Sequence, residues 1–210
     1  MNRELVLHEI RRAITSAPGL RARSALPPRP TPPTYGEQRI ERFTDRLVAH
    51  ACTWEAIAEL DELPQRVVAW LEQRQLDHRL AVAPPLMALN WPEKVDRHSR
   101  PAAIDESVAV SLAFAGIAES GSLVMYSGPN SPITHNYVPE FHLVAIRADD
   151  VCDNQEAVWA NARALGDMPR ALNLIAGPSR TGDVEQTIQL GAHGPRQVHV
   201  LLVRAKDMKS

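Results

Sequence analysis

Val198-His-Val-Leu-Leu-Val203, close to the end of the chain, is apolar at all but one of its six positions, and Leu143-Val-Ala-Ile146 is apolar throughout. A strand with one wet face alternates apolar and polar residues, whereas a nearly continuous apolar run is expected where helices cover both faces. Further strand-length runs bounded by turn residues occupy residues 79–83, 108–112, 123–126 and 172–175. A helix is expected over residues 154–165, between two of these runs. The interval from Leu112 to Leu123 is too short for a long crossover helix, so not every strand pair can be parallel. The expected fold is therefore α/β: layered, with a mixed, mostly parallel sheet flanked by helices.

Upstream of the strands, Val6, Ile10, Ala13, Ile14 and Ala17 recur at helical spacing, so residues 3–16 read as an amphipathic helix ended by Pro18 and Gly19. Six prolines between Pro18 and Pro33 then remove backbone donors and favour an extended tether. Ile40, Phe43, Thr44, Leu47, Val48 and Ala51 form a second helical stripe. A third helix is expected over residues 61–75, with Pro64 in its first turn. Residues 1–35 thus form an N-terminal helix and Pro-rich tether, and residues 36–210 the α/β domain. Trp54, Trp70, Trp91 and Trp159 lie among helical or flanking apolar residues and are expected in the core.

Composition narrows the function classes. A chain of 210 residues with 44% hydrophobic residues can bury one substantial core. Its 23 basic and 25 acidic side chains nearly cancel, which gives no electrostatic reason for a nucleic-acid or anionic-membrane partner. No apolar run approaches the roughly 20 residues that span a bilayer, and the N-terminus lacks a signal core, so a cytoplasmic location is expected. Cys52 and Cys152 stand far apart without clustered histidines, so no metal site is expected, and an iron–sulfur cluster would need more thiolates than this chain has. No GxGxxG follows a strand, and GxxxxGK[ST] is absent.

Two polar loops remain as candidates for chemistry. In Gly116-Ile-Ala-Glu-Ser-Gly-Ser122, Gly121 allows close approach, Ser120 and Ser122 offer hydroxyls, and Glu119 can act as base, nucleophile or acceptor. From the residues alone, a tight turn with Glu119 capping or solvated outweighs that reading. Gly177-Pro-Ser-Arg-Thr-Gly-Asp-Val-Glu185 follows an apolar strand, which is expected to aim it at a carboxyl edge of the sheet, the edge that ligands favour in open α/β folds. There Gly177, Ser179, Arg180 and Thr181 can hold a carboxylate or phosphate. Asp183 is expected to cap a short helix, and Glu185 to hold Arg180 or point away. In Gly191-Ala-His-Gly-Pro195, His193 can exchange a proton near neutral pH, and Gly194 completes the anion pocket. His135 and His142 match no metal spacing, and structural or surface roles are expected for them.

The stretch GPSRTGDVEQTIQLGAHGP, residues 177–195, followed by an apolar strand, resembles the LUD-domain family of lactate utilization protein C. AESGSLV, residues 118–124, is similar to that family's second hallmark, although Ser120 stands where the family usually has Thr, Gly182 where it has Ala and Val184 where it has Ile. The resemblance covers residues 108–203. It implies a fold like that of NagB, RpiA and the CoA transferases. It also implies participation in oxidation of L-lactate to pyruvate with partner proteins, one of which carries iron–sulfur clusters. Two readings follow: an accessory or substrate-handling subunit whose Arg180 receives a carboxylate, or a stand-alone enzyme acting on a CoA- or phosphate-bearing molecule with Glu119 as nucleophile or base. Under either, this chain alone binds no cofactor, and a second copy of the chain is a candidate partner.

Overall fold

The computed structural model of the protein describes residues 3–16, 30–181, 189–191 and 193–204. In chain order these form α1 (Arg3–Ser16), α2 (Arg39–Ala49), β1 (Thr53–Ile57), α3 (Leu63–Gln73), β2 (Arg79–Val82), β3 (Asp96–His98), β4 (Val108–Leu112), β5 (Ala115–Ile117), β6 (Ser122–Tyr126), β7 (Phe141–Arg147), β8 (Val151–Cys152), α4 (Gln155–Ala164), β9 (Leu172–Ile175), β10 (Arg180–Thr181), β11 (Gln189–Leu190) and β12 (Gln197–Val203). The chain divides into two units, Met1–Thr31 and Pro32–Ser210. The first contains α1, whose Leu5, Ile10 and Ile14 are exposed.

In the second unit six strands form one sheet in the order β1-β12-β7-β4-β2-β3, and every pairing in it is parallel. Its central strands are the near-continuous apolar runs. Alternate residues of β12 feed two separate cores. Val198, Val200 and Leu202 pack with Phe43 and Leu47 of α2, while Leu201 and Val203 pack with Val67 and Leu71 of α3. Both faces are covered, which is why neither strand could carry a polar face.

The mixed character lies in a second sheet, ordered β8-β5-β6-β9, in which β6 runs antiparallel to both β5 and β9. The chain leaves β4 through Ala113 and Phe114 straight into β5, so one bent strand passes from the large sheet into the small one. The short interval after Leu112 is thus a hairpin. Leu123 and Met125 of β6 join Phe43 and Leu47 on one side of the small sheet, and Val158 of α4 packs with Ile117 and Val124 on the other.

Local chemistry fixes the remaining elements. Asn154 caps α4 by accepting from Ala157 N at 2.9 Å, and its amide donates to Pro33 O at 2.9 Å. Tyr35 N donates to Asp153 Oδ1 at 3.1 Å, so the chain just before α2 is fastened to the start of α4. Deleting residues 1–31 is accordingly expected to leave a domain that unfolds in a single thermal transition. Circular dichroism of the truncated chain checks this, and a broad, non-cooperative melt would count against it.

Two expectations about tryptophans are corrected. Trp54 is 38% exposed, because the segment read as flanking a helix is the edge strand β1, and Trp159 is only half-buried. Trp70 and Trp91 are buried, and Trp91 Nε1 donates to Leu86 O at 2.8 Å.

Candidate functional site

The site is organised by the end of α2. Cys52 N donates to Leu47 O and Ala51 N to Val48 O, both at 2.9 Å, and Ala51 has φ +62°. This is the paired C-terminal cap that usually carries glycine at the left-handed position. It turns the chain sharply into β1 and leaves Arg46 and His50 facing the glycine loops.

Loop 119–122 sits against that end. Gly121 has φ +69°, and a Cβ there would lie 2.5 Å from Arg46 Cβ and 2.8 Å from its carbonyl carbon. The close approach that glycine permits is therefore made by α2. His50 Nε2 lies 3.0 Å from Ser120 O. A carbonyl only accepts, so this nitrogen carries the proton. Ser120 Oγ donates to Ser122 Oγ at 2.9 Å, and Ser122 is buried. Glu119 is exposed, and its backbone N donates to Asp153 O at 3.0 Å.

Loop 177–181 meets the same helix end. Gly177 has φ +98°, and a Cβ on it would lie 2.3 Å from His50 O. Beyond it, Ser179 N donates to Pro195 O at 2.8 Å and accepts at its own carbonyl from Gly191 N at 2.9 Å. These bonds extend the β10–β11 hairpin, in which Arg180 faces Leu190. Gly194 packs against Ser179, where a Cβ would lie 3.4 Å from Ser179 Cβ. The 177–181 and 191–194 segments therefore converge.

The place where they converge differs from expectation. Gly177 follows β9, which belongs to the small sheet, and the loop then reaches Pro195 and Arg196 just before β12. It leaves the small sheet at that sheet's carboxyl edge, as expected, but comes to rest at the amino edge of the large parallel sheet. The reason is the bend between β4 and β5, which folds the small sheet back over α2.

Electrostatics at this edge are mixed. The ends of α2 and α3 found here are C-termini, whose carbonyls carry partial negative charge and oppose an anion. Arginines offset this. Arg74 lies 3.9 Å above the Trp70 ring and is paired with no carboxylate among the described residues. Arg196 Nε is 2.7 Å from Glu140 Oε1. Burial pushes the Cys52 thiol up to about 11, and the nearby Arg180 guanidinium opposes that shift. Cys52 is thus an inert, protonated thiol. Two open clefts flank Arg196. One of about 560 Å³ is lined by Glu106, Tyr137, Glu140, His193 and Gly194, and the other, of about 500 Å³, by Ala51, Arg74, Phe141 and Pro178.

Ser179, Arg180, Thr181, His193 and Gly194 are thereby gathered in one region, and Glu119, Ser120, Gly121 and Ser122 join them through His50. Thr181 closes β10 opposite Gln189. His193 is exposed on the wall of the larger cleft. Asp183 and Glu185 lie outside the described residues, and so does the helix expected after Asp183. Sequence reasoning missed Arg46 and His50. Their i,i+4 spacing at the end of an expected helix was the available signal. His135 and His142 are interior, bonded to Arg100 O and Ser111 Oγ respectively, each at 3.0 Å. Among the described residues no group of three or more metal-ligating side chains is placed to hold an ion, and no helix is long and apolar enough to cross a membrane.

A parallel α/β sheet with a folded-back second sheet, and glycine loops gathered on one helix end, define a small layered α/β domain with a polar loop site. The LUD-domain family model matches residues 40–203, and the chain belongs to that family. A lactate utilization protein C of Exiguobacterium is 31% identical over 118 residues, covering 54% of this chain and 51% of that one. The lactate utilization protein C of Deinococcus radiodurans is 27% identical over 187 residues, covering 85% and 86%. An uncharacterized protein of Neisseria meningitidis is 35% identical over 89 residues, covering 42% and 38%. The chain thus spans about half the length of the first curated relatives it matches. The crystal structure of a DUF162 family protein from Deinococcus radiodurans superposes with a TM-score of 0.59 at 19% identity, covering 81% of this chain and 99% of that one.

Proposed function

We propose that the protein serves lactate utilization as an accessory or substrate-handling component of a multi-protein system that oxidises L-lactate to pyruvate. Membership of the LUD-domain family, with relatives named lactate utilization protein C, supports the pathway. The single structural observation that carries the substrate-handling role is Ser179, held from both sides by the 191–195 segment, so that Arg180 starts a fixed hairpin beside Gly194. A planar guanidinium carried on that backbone can receive a carboxylate with two parallel hydrogen bonds.

In this reading Ser179, Thr181 and the backbone at Gly177 and Gly194 complete the carboxylate pocket, and His193 stands at its rim. Glu119 and Ser120 form the adjoining wall. Electrons leave through an iron–sulfur partner protein, in the cytoplasm. The second reading, an enzyme acting on a CoA- or phosphate-bearing molecule through Glu119, differs in needing no partner.

Calorimetric titration with L-lactate, pyruvate and phosphate tests the proposal. The native protein is expected to bind a carboxylate, and Arg180→Ala to weaken binding by tens-fold, equivalent to about 2 kcal/mol of charge-assisted hydrogen bonding. Equal binding by Arg180→Ala would reduce the loop to a structural turn. Turnover of acyl-CoA or sugar phosphates by the isolated chain would favour the second reading.

A further inference from the structure

The two glycine loops gather at the amino edge of the large sheet, and its carboxyl edge has a different feature. From β2 the chain moves outward to β3, whereas from β4 it moves the opposite way to β7. The two departing connections also go to opposite faces. Leu86, Trp91 and Val95 after β2 pack into the α3 core, while Ala113, Leu123 and Met125 after β4 pack into the α2 core. Between them, at the carboxyl ends of β2 and β4, the strand order reverses. In open α/β sheets that reversal opens the crevice in which ligands bind.

The crevice is real in this protein. A cavity of about 260 Å³ lies there, bounded by Pro85 after β2, by Leu112 at the end of β4 and Phe114 beyond it, and by Tyr126, Asn130 and Ser131. None of its lining residues is charged. The Phe114 and Tyr126 rings lie 5.5 Å apart at 48°. Tyr126 is anchored because its hydroxyl donates to Asp167 O at 2.8 Å, and its half-buried ring lines the cavity. The rim is stiffened by Ser131 N donating to Gly128 O at 3.0 Å, and Asn130 is exposed at the tip of that turn.

The geometry points to a second binding site in this crevice, for a small, uncharged, planar ring bearing a hydroxyl or carbonyl group. The paired Phe114 and Tyr126 rings select planarity, since offset or tilted ring packing adds to simple burial. The uncharged lining selects neutrality, because an ion entering it would lose hydration without gaining a partner. Asn130 and Ser131 can satisfy one polar substituent at the rim. This site does not depend on the lactate reading, since it lies at the other edge of the sheet from Arg180.

The test compares 2-naphthol with 2-naphthoate on the full-length chain, by calorimetry and by NMR of the Phe114 and Tyr126 ring signals. The expected result is saturable binding of 2-naphthol that shifts both rings, with 2-naphthoate at least about ten-fold weaker. Phe114→Leu should weaken 2-naphthol about five-fold or more, while Arg180→Ala should leave it unchanged. Unshifted rings, naphthoate binding as tight as naphthol, or full affinity in a folded Phe114→Leu protein would each overturn the proposal. Loss of 2-naphthol binding in Arg180→Ala would also overturn it, by tying the ligand to the loop site.

Discussion

Gly177→Ala is expected to destabilise the domain by on the order of 3 to 5 kcal/mol, as much as many small domains can lose before unfolding. Two costs combine in it. The backbone at φ +98° is one that side chains rarely adopt, and the new methyl would lie 2.3 Å from the His50 carbonyl oxygen. Neither partner can yield easily, because His50 belongs to the cap that ends α2 and Gly177 to the loop whose continuation is bonded to Pro195. Gly166 separates the two contributions. It has φ +88° but nothing within 4 Å of its missing Cβ, so Gly166→Ala should cost only the backbone share, about 1 kcal/mol. Urea unfolding of both variants checks this, and similar losses at the two positions would refute the close-packing account.

Acid is expected to unfold the domain through histidines that are buried neutral. Burial, with a smaller push from His135, pushes His142 down to about 3. His135 and His199 are also lowered, chiefly by burial. Once the pH falls below about 6.5, the unfolded chain takes up protons that the folded chain refuses. The stability these groups contribute is therefore intact above pH 6.5 and is lost as the pH falls toward their folded values. A proton held by the unfolded chain and refused by the folded one gives a slope of about 1.4 kcal/mol per pH unit, so His142 alone removes several kcal/mol by pH 3. His142→Gln, whose amide can still bond Ser111 Oγ, should flatten the stability profile between pH 6.5 and 4.5, above the range of most carboxylates. An unchanged profile in that variant would show that His142 does not govern the acid response.

Much of the architecture was legible in residue order. The runs 108–112 and 172–175 coincide with β4 and β9, and the helix expected over 154–165 appears as α4 with Asn154 as its cap. What escaped notice were the short or polar strands. β1, Thr-Trp-Glu-Ala-Ile, is an edge strand with one neighbour, so most of its side chains stay wet and it has no apolar run. Its place is set by pairing with β12, more than a hundred residues downstream. β3 is equally polar and equally peripheral.

The candidate site divides in the same way. Residue order by itself determined that the chain is layered α/β, that its chemistry-bearing residues fall in two glycine loops, and that those loops carry the LUD-family pattern, because periodicity and motif spacing are local properties of the chain. Only the tertiary structure decided that Gly121 and Gly177 are glycine because α2 presses on them, that Arg46 and His50 join the loops, and that the convergence lies at the amino edge of the large sheet. The bend from β4 into β5 brings these about by folding one sheet back over a helix that precedes it in the chain by some seventy residues. Contacts of that range leave no periodic trace in sequence, since each depends on the packing of surfaces that exist only once the sheets have formed.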